Sequence, residues 1–95
     1  MQNLDSFGTQ IRKLREKAEM PLRRIASLID LDQSTLSKIE RDERKPSVIL
    51  IEQIAEGFNV EKPSLLVALY SDVVTYEIQD ESSYFEILQV AEAKI

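Results

Sequence analysis

Nineteen residues, L-R-R-I-A-S-L-I-D-L-D-Q-S-T-L-S-K-I-E from Leu22 to Glu40, constrain this chain more than any other stretch. Ile25, Ala26 and Ile29 recur at helical spacing and share one face of a short helix. Leu36 and Ile39 do the same for a second helix. Between them lies Ile29-Asp30-Leu31-Asp32. Asp30 tolerates the left-handed conformation that a tight turn demands, and Asp32 is a good N-cap for the helix that follows. That second helix carries Gln33, Ser34, Thr35, Ser37 and Lys38, all hydrogen-bonding residues. Two short helices across a tight turn, the second built to touch something polar, are the organising unit.

The flanking chain extends the pattern. Leu4, Phe7, Ile11, Leu14 and Ala18 fall three or four apart, which predicts an amphipathic helix from about Asp5 to Glu19 with a basic outer face of Arg12, Lys13, Arg15 and Lys17. Pro21 suits the first turn of the next helix, where its missing N–H is not needed. That helix runs to about Ile29, and the helix from Gln33 to about Arg41. The charged loop R-D-E-R-K is closed by Pro46. Ser47 is the natural N-cap of a fourth helix reaching Phe58, and Asn59 its left-handed C-cap. Val48, Ile51, Ile54, Ala55, Phe58 and Val60 are its expected buried stripe. Pro63 starts a fifth helix. Val73–Ile78 has strand propensity, yet Leu66, Leu69, Tyr70, Val73 and Glu77 also fit a helical face. The helix is preferred, because a lone strand has no partner. Asp80–Ser83 reads as a break, and Tyr84, Ile87, Leu88, Ala91 and Ile95 as the stripe of a last helix.

Length and composition exclude whole classes of function. The 95 residues suit one small unit, and a 43% apolar content is enough for one core. There is no cysteine and no histidine. Disulfides, thiolate chemistry and imidazole-dependent catalytic or metal sites are therefore out of reach. No Gly-rich phosphate loop or metal-ligand cluster stands out, so neither an enzyme nor a cofactor is expected. No apolar run approaches the roughly 20 residues of a membrane span, and the N-terminus lacks signal-peptide features, so the expected location is the cytoplasm.

Charge is unevenly divided. The net charge is −5, but residues 1–47 hold ten Lys/Arg against eight Asp/Glu, whereas residues 48–95 hold two against nine. A basic half can meet phosphates while an acidic half faces away from them.

Three segments together carry a resemblance to a known family. They are F-G-x-x-I-R-x-L-R at Phe7–Arg15, I-A-x-x-I-D-L-D-x-S-T-L-S-K-I-E-R at Ile25–Arg41, and R-K-P-S at Arg44–Ser47. From about Phe7 to Val60 the chain resembles the Cro and phage-repressor (XRE-type) helix-turn-helix DNA-binding domain of bacteria and phages. The resemblance implies an all-α, five-helix lambda-repressor-like domain over residues 1–63, with a C-terminal helical extension over 64–95. It implies that Gln33, Ser34 and Lys38 read base edges in the major groove, with Thr35 and Ser37 nearby. The chemistry agrees: Gln suits adenine, Lys suits guanine, and Ser or Thr suits either. It implies that Arg41, Arg44 and Lys45 grip phosphates, with Arg23 as a further candidate at a positive helix N-terminus. Arg15 and Glu40 match a structural salt bridge of the family.

Three departures stand out. Asp30 replaces the usual turn glycine. Leu22 replaces a phosphate-binding glutamine. Leu28, Ile49 and Leu50 are apolar where polar surface is usual, suggesting additional buried surface. The expected function is a sequence-specific transcriptional regulator, a homodimeric repressor that blocks polymerase by occupying a palindromic operator in double-stranded DNA. Tyr70, Val73, Tyr84, Ile87, Leu88 and Ala91 are its expected dimerisation residues, with Asp72, Glu77, Asp80, Glu81, Glu86 and Glu92 pointing away from DNA. The alternative is an antitoxin-like regulator whose acidic tail binds another protein.

Overall fold

A computed structural model describes residues 3–95. Its described residues form six helices and no strand: α1 (Phe7–Lys17), α2 (Leu22–Leu28), α3 (Gln33–Glu40), α4 (Val48–Phe58), α5 (Lys62–Ile78) and α6 (Tyr84–Lys94). The all-α expectation holds, and Val73–Ile78 is helical. Residue 63 lies in the first turn of α5. The helix runs on without a break and buries Leu65, Ala68 and Leu69 in the core.

Local chemistry accounts for the helix starts. Ser6 caps α1, accepting from the Thr9 N–H at 3.2 Å. Asp32 caps α3, accepting from the Thr35 N–H at 2.8 Å, and Ser47 caps α4, accepting from the Leu50 N–H at 3.2 Å. Each side-chain oxygen satisfies a backbone donor that has no partner inside its helix.

The helix ends share one device. Glu19, Asp30, Asp42 and Asn59 stand at φ 55, 53, 60 and 54°, one after each of the first four helices. The next residue then reaches back five positions: Met20 N–H to Arg15 O, Leu31 N–H to Ala26 O, Glu43 N–H to Lys38 O and Val60 N–H to Ala55 O, at 2.8–3.1 Å. These are Schellman closures, in which a left-handed residue lets a late N–H satisfy an orphan carbonyl. Glycine usually fills the left-handed position, but here no glycine does. Asp30 and Asn59 were legible from sequence as left-handed; Glu19 and Asp42 were not.

The core gathers Phe7, Ile11, Ile25, Ala26, Ile29, Leu36, Ile39, Ile51 and Ile54 with the inner face of α5. α3 packs on α1 and α2, while α5 packs on α1 and α4. Gly8 permits the closest approach. A Cβ on it would stand 2.7 Å from the Glu40 carbonyl oxygen and nearer still to that of Ile39.

Some expectations need correction. Leu4 lies outside α1 and is 88% exposed, because the chain is already capped at Ser6 and turns away before reaching the core. Ala18 is exposed as the C-cap of α1. Val48 is exposed as well, since it occupies the first helical position of α4 and the inward face begins at Ile51. Of the three unusual apolar residues, Leu50 is half-buried against the core, but Leu28 and Ile49 are exposed.

Candidate nucleic-acid interface

α3 has one greasy side and one wet side. Leu36, Ile39 and Glu40 are buried, whereas Gln33, Ser34 and Lys38 are exposed. Ser34 and Lys38 are four residues apart and therefore project from the same stripe, opposite the buried one. Ser37 flanks that stripe and is half-buried. Thr35 is already engaged. Its hydroxyl donates to an Asp32 carboxylate oxygen at 2.7 Å, while its backbone N–H bonds the other. This double contact holds the Asp32 carboxyl below the ordinary carboxylate range, with the Thr35 hydroxyl the larger cause and the Arg44 charge a small addition. Thr35 thus fixes the start of α3 rather than offering a free donor.

The other end of α3 is anchored from inside. Glu40 is 6% exposed and meets Arg15 of α1 with both carboxylate oxygens, at 2.7 Å to Nε and 3.0 Å to Nη2. The remaining guanidinium nitrogen, Nη1, donates to the Met20 carbonyl at 3.0 Å. Hydrogen bonding to Glu40 raises the Arg15 pKa further above its ordinary value. The expected structural pair is present, and it ties α3 to α1 and to the Schellman turn that ends α1.

The loop after α3 carries the basic candidates. Arg41 is the C-cap of α3 and pairs with Glu43 at 3.1 Å, both side chains more than half exposed. Such a pair is worth only about 0–1 kcal/mol and can exchange for a phosphate. Arg44 and Lys45 are exposed, and Pro46 behind them is buried. Among the described residues, Arg23, Arg24, Lys38, Arg44 and Lys45 enter no ion pair. Arg23 is exposed at the first turn of α2, where a positive helix end adds to its charge. Leu22 beside it is half-buried against the core, so at this position packing replaces a polar contact.

Two carboxylates that sequence reasoning treated as ordinary surface charge do specific work here. Asp42 accepts from the Gly8 N–H at 2.8 Å and from the Ser6 hydroxyl. Asp72 of α5 accepts from the Phe7 N–H at 2.7 Å and is half-buried. Both sit at the positive N-terminus of α1. Asp42 thereby pins the loop bearing Arg44 and Lys45 to α1. No local pattern reveals either contact, because the partners lie 34 and 65 residues away.

The expected dimerisation residues differ in exposure. Tyr84, Ile87, Leu88 and Ala91 are exposed on α6, and Tyr70 is exposed on α5. Val73 is half-buried and lines a cleft of about 490 Å³ with Phe7, Pro46 and Leu69. No helix of the described residues is long and apolar enough to cross a membrane.

Comparison with known proteins places this arrangement. A family model described as helix-turn-helix matches residues 11–65. Control protein C.MunI of a Mycoplasma species is 35% identical over 68 residues, which span 70% of this chain and 86% of that protein. The HTH-type transcriptional regulator SutR of Escherichia coli K12 is 36% identical over 61 residues, 63% of this chain and 34% of that one. Among solved structures, the restriction-modification controller protein C.AhdI from Aeromonas hydrophila matches with a TM-score of 0.60 and 30% identity. The match covers 62% of this chain and 89% of that one.

Proposed function

The chain belongs to the helix-turn-helix family, and from that premise we propose that it is a sequence-specific DNA-binding transcriptional regulator that occupies a palindromic operator as a homodimer. One observation carries the reading. Ser34 and Lys38 project on one stripe of a helix capped by Asp32 at one end and anchored by Glu40 at the other, with unpaired Arg44 and Lys45 beside it. In this reading α3 enters the major groove. Gln33 addresses adenine, Lys38 addresses guanine, and Ser34 and Ser37 address either. Arg41, Arg44, Lys45 and Arg23 take flanking phosphates and set the register. The overall net charge of −5 does not oppose this, since binding depends on the local field and the acidic excess lies after residue 47.

The action on transcription is steric, a bound dimer denying polymerase its promoter. Both relatives named as controllers are matched over most of their own length. Control of restriction-modification genes, the setting named for the solved one, is accordingly the narrower form of the proposal.

Selection from a random duplex pool at near-physiological salt tests it, with the Gln33→Ala, Lys38→Ala double variant as control. The expected result is an enriched palindrome that the variant cannot select. Each lost base contact should weaken binding by about 1–3 kcal/mol. Arg44→Ala should weaken all sequences alike and lower the salt slope by about 1. A folded protein that enriches no sequence would sink the proposal.

A further inference from the structure

Arg44 and Lys45, the cations of the loop after α3, are poorly held by their own backbone. The Schellman bond from the Glu43 N–H to the Lys38 carbonyl precedes them, and the bond from the Ile51 N–H to the Ser47 carbonyl follows them. Among the described residues, Arg44 and Lys45 make no backbone hydrogen bond between these two. Packing adds little. Pro46 is buried, but beside Arg44 and Lys45 lies the cleft of about 490 Å³ that Phe7, Leu69 and Val73 also line. A short segment of this kind samples many conformations unless a contact outside it fixes its path.

Asp42 supplies such a contact. One oxygen of its carboxylate accepts from the Gly8 N–H at 2.8 Å and the other from the Ser6 hydroxyl. The anchor is itself fixed. Phe7 and Gly8 are buried, the Phe7 N–H donates to Asp72 of α5, and the Thr9 N–H donates to Ser6. The approach is so close that a Cβ on Gly8 would stand 2.6 Å from the Asp42 oxygen. The backbone points the same way. Asp42 bears a φ of 60°, which glycine adopts without a Cβ penalty. Among the described residues, it is the one left-handed residue of the four whose side chain hydrogen-bonds another element. A strained residue whose own side chain makes a long-range contact marks a position where the side chain has a role.

Resting on the reading of Arg44 and Lys45 as phosphate ligands, we propose that Asp42 is the positioning residue of this grip, ordering the loop in advance by clamping it to the N-terminus of α1. By charge alone, an acid two residues from a phosphate-binding cation is unfavourable, because it repels the same phosphates. What offsets the repulsion is preorganisation. A loop that is already ordered loses less conformational freedom when it closes on DNA. The two effects have opposite signs. Repulsion predicts that removing the carboxylate tightens DNA binding, whereas positioning predicts that it weakens binding.

The test compares the full-length wild type with Asp42→Gly, Asp42→Asn and Arg44→Ala on a duplex of arbitrary sequence across a salt series, so that the result does not depend on operator selection. Circular dichroism checks that each is folded. Asp42→Gly deletes the clamp while easing φ. It should bind about ten-fold more weakly, the cost of re-ordering roughly one freed residue. Its salt slope should match the wild type, because Arg44 and Lys45 still reach phosphate, whereas Arg44→Ala should lower the slope by about 1. Asp42→Asn keeps an acceptor for the Gly8 N–H without the charge, and should bind at least as tightly as the wild type. In the absence of DNA, backbone amide order parameters at Arg44 and Lys45 should fall from about 0.85 in the wild type to below about 0.6 in Asp42→Gly. Asp42→Gly binding as tightly as the wild type or more so, or a loop equally ordered in both, would overturn the proposal. A clamp that passes both tests in a protein that enriches no palindrome would leave the positioning role standing and remove the operator reading instead.

Discussion

Replacing Glu40 by alanine should be among the most damaging single changes in this chain. The side chain is 6% exposed, and its partner Arg15 is 18% exposed. Truncation leaves the Arg15 guanidinium largely out of water, with only its bond to the Met20 carbonyl remaining. Breaking a buried pair in this way costs about 3–5 kcal/mol. Arg15 retains some solvent, so the lower figure, about 3 kcal/mol, applies. Domains of this size are stable by only about 5–15 kcal/mol, so the loss is a large share of the total. At about 4–8 °C per kcal/mol for a chain of this length, the melting temperature should fall by roughly 12–24 °C. Urea unfolding followed by helical circular dichroism measures it, provided the slope is unchanged. The Arg15→Met, Glu40→Leu double variant separates the cause. It removes both charges together and should recover much of the loss, because no unpaired charge remains. A cost below about 1 kcal/mol for Glu40→Ala would refute the argument, since that is the range of an exposed pair. Equal damage from the double variant would refute it too, by showing that shape rather than charge is at stake.

Asp30→Gly should stabilise the protein by up to about 1 kcal/mol, because glycine adopts the φ of 53° without the Cβ penalty that aspartate bears. Asp30→Val should destabilise it, and paired urea titrations report both. Asp42→Gly keeps the left-handed backbone but deletes the carboxylate that holds Gly8 and Ser6. It should cost about 1 kcal/mol despite easing φ, and amide hydrogen exchange should speed at Gly8; protection left unchanged would show that the contact is idle. Asp32 has a lowered pKa when folded, so its contribution is fully present above the unfolded carboxylate value of about 4 and is lost as pH falls through the folded one. Stability measured between pH 5 and 2 should therefore drop less steeply in Asp32→Asn, which keeps a capping oxygen but does not titrate.

The order of the helices, the caps at Asp32 and Ser47, and the left-handed turns at Asp30 and Asn59 are all local. They depend on a side chain and backbone groups within a few residues, so the sequence alone determined them. The stripes of α3 were legible for the same reason. A 3.6-residue period separates Leu36 and Ile39 from Ser34 and Lys38 whatever else the chain does. Composition had the same reach, since a chain without histidine or cysteine has lost those chemistries in any fold. What tertiary structure decided concerns groups distant in sequence. Asp42 and Asp72 look like any other surface acids until folding brings them to the N-terminus of α1. Leu4 and Val48 continue their helical stripes on paper, yet Leu4 lies ahead of the α1 cap and Val48 at the first position of α4, where the core does not reach. Val73 and Tyr70 share a helix and an apolar character, but α5 packs one face on α1 and α4 and leaves the other in water. Periodicity says which residues share a face; only packing says which face is inside, because burial is decided by what arrives from elsewhere in the chain.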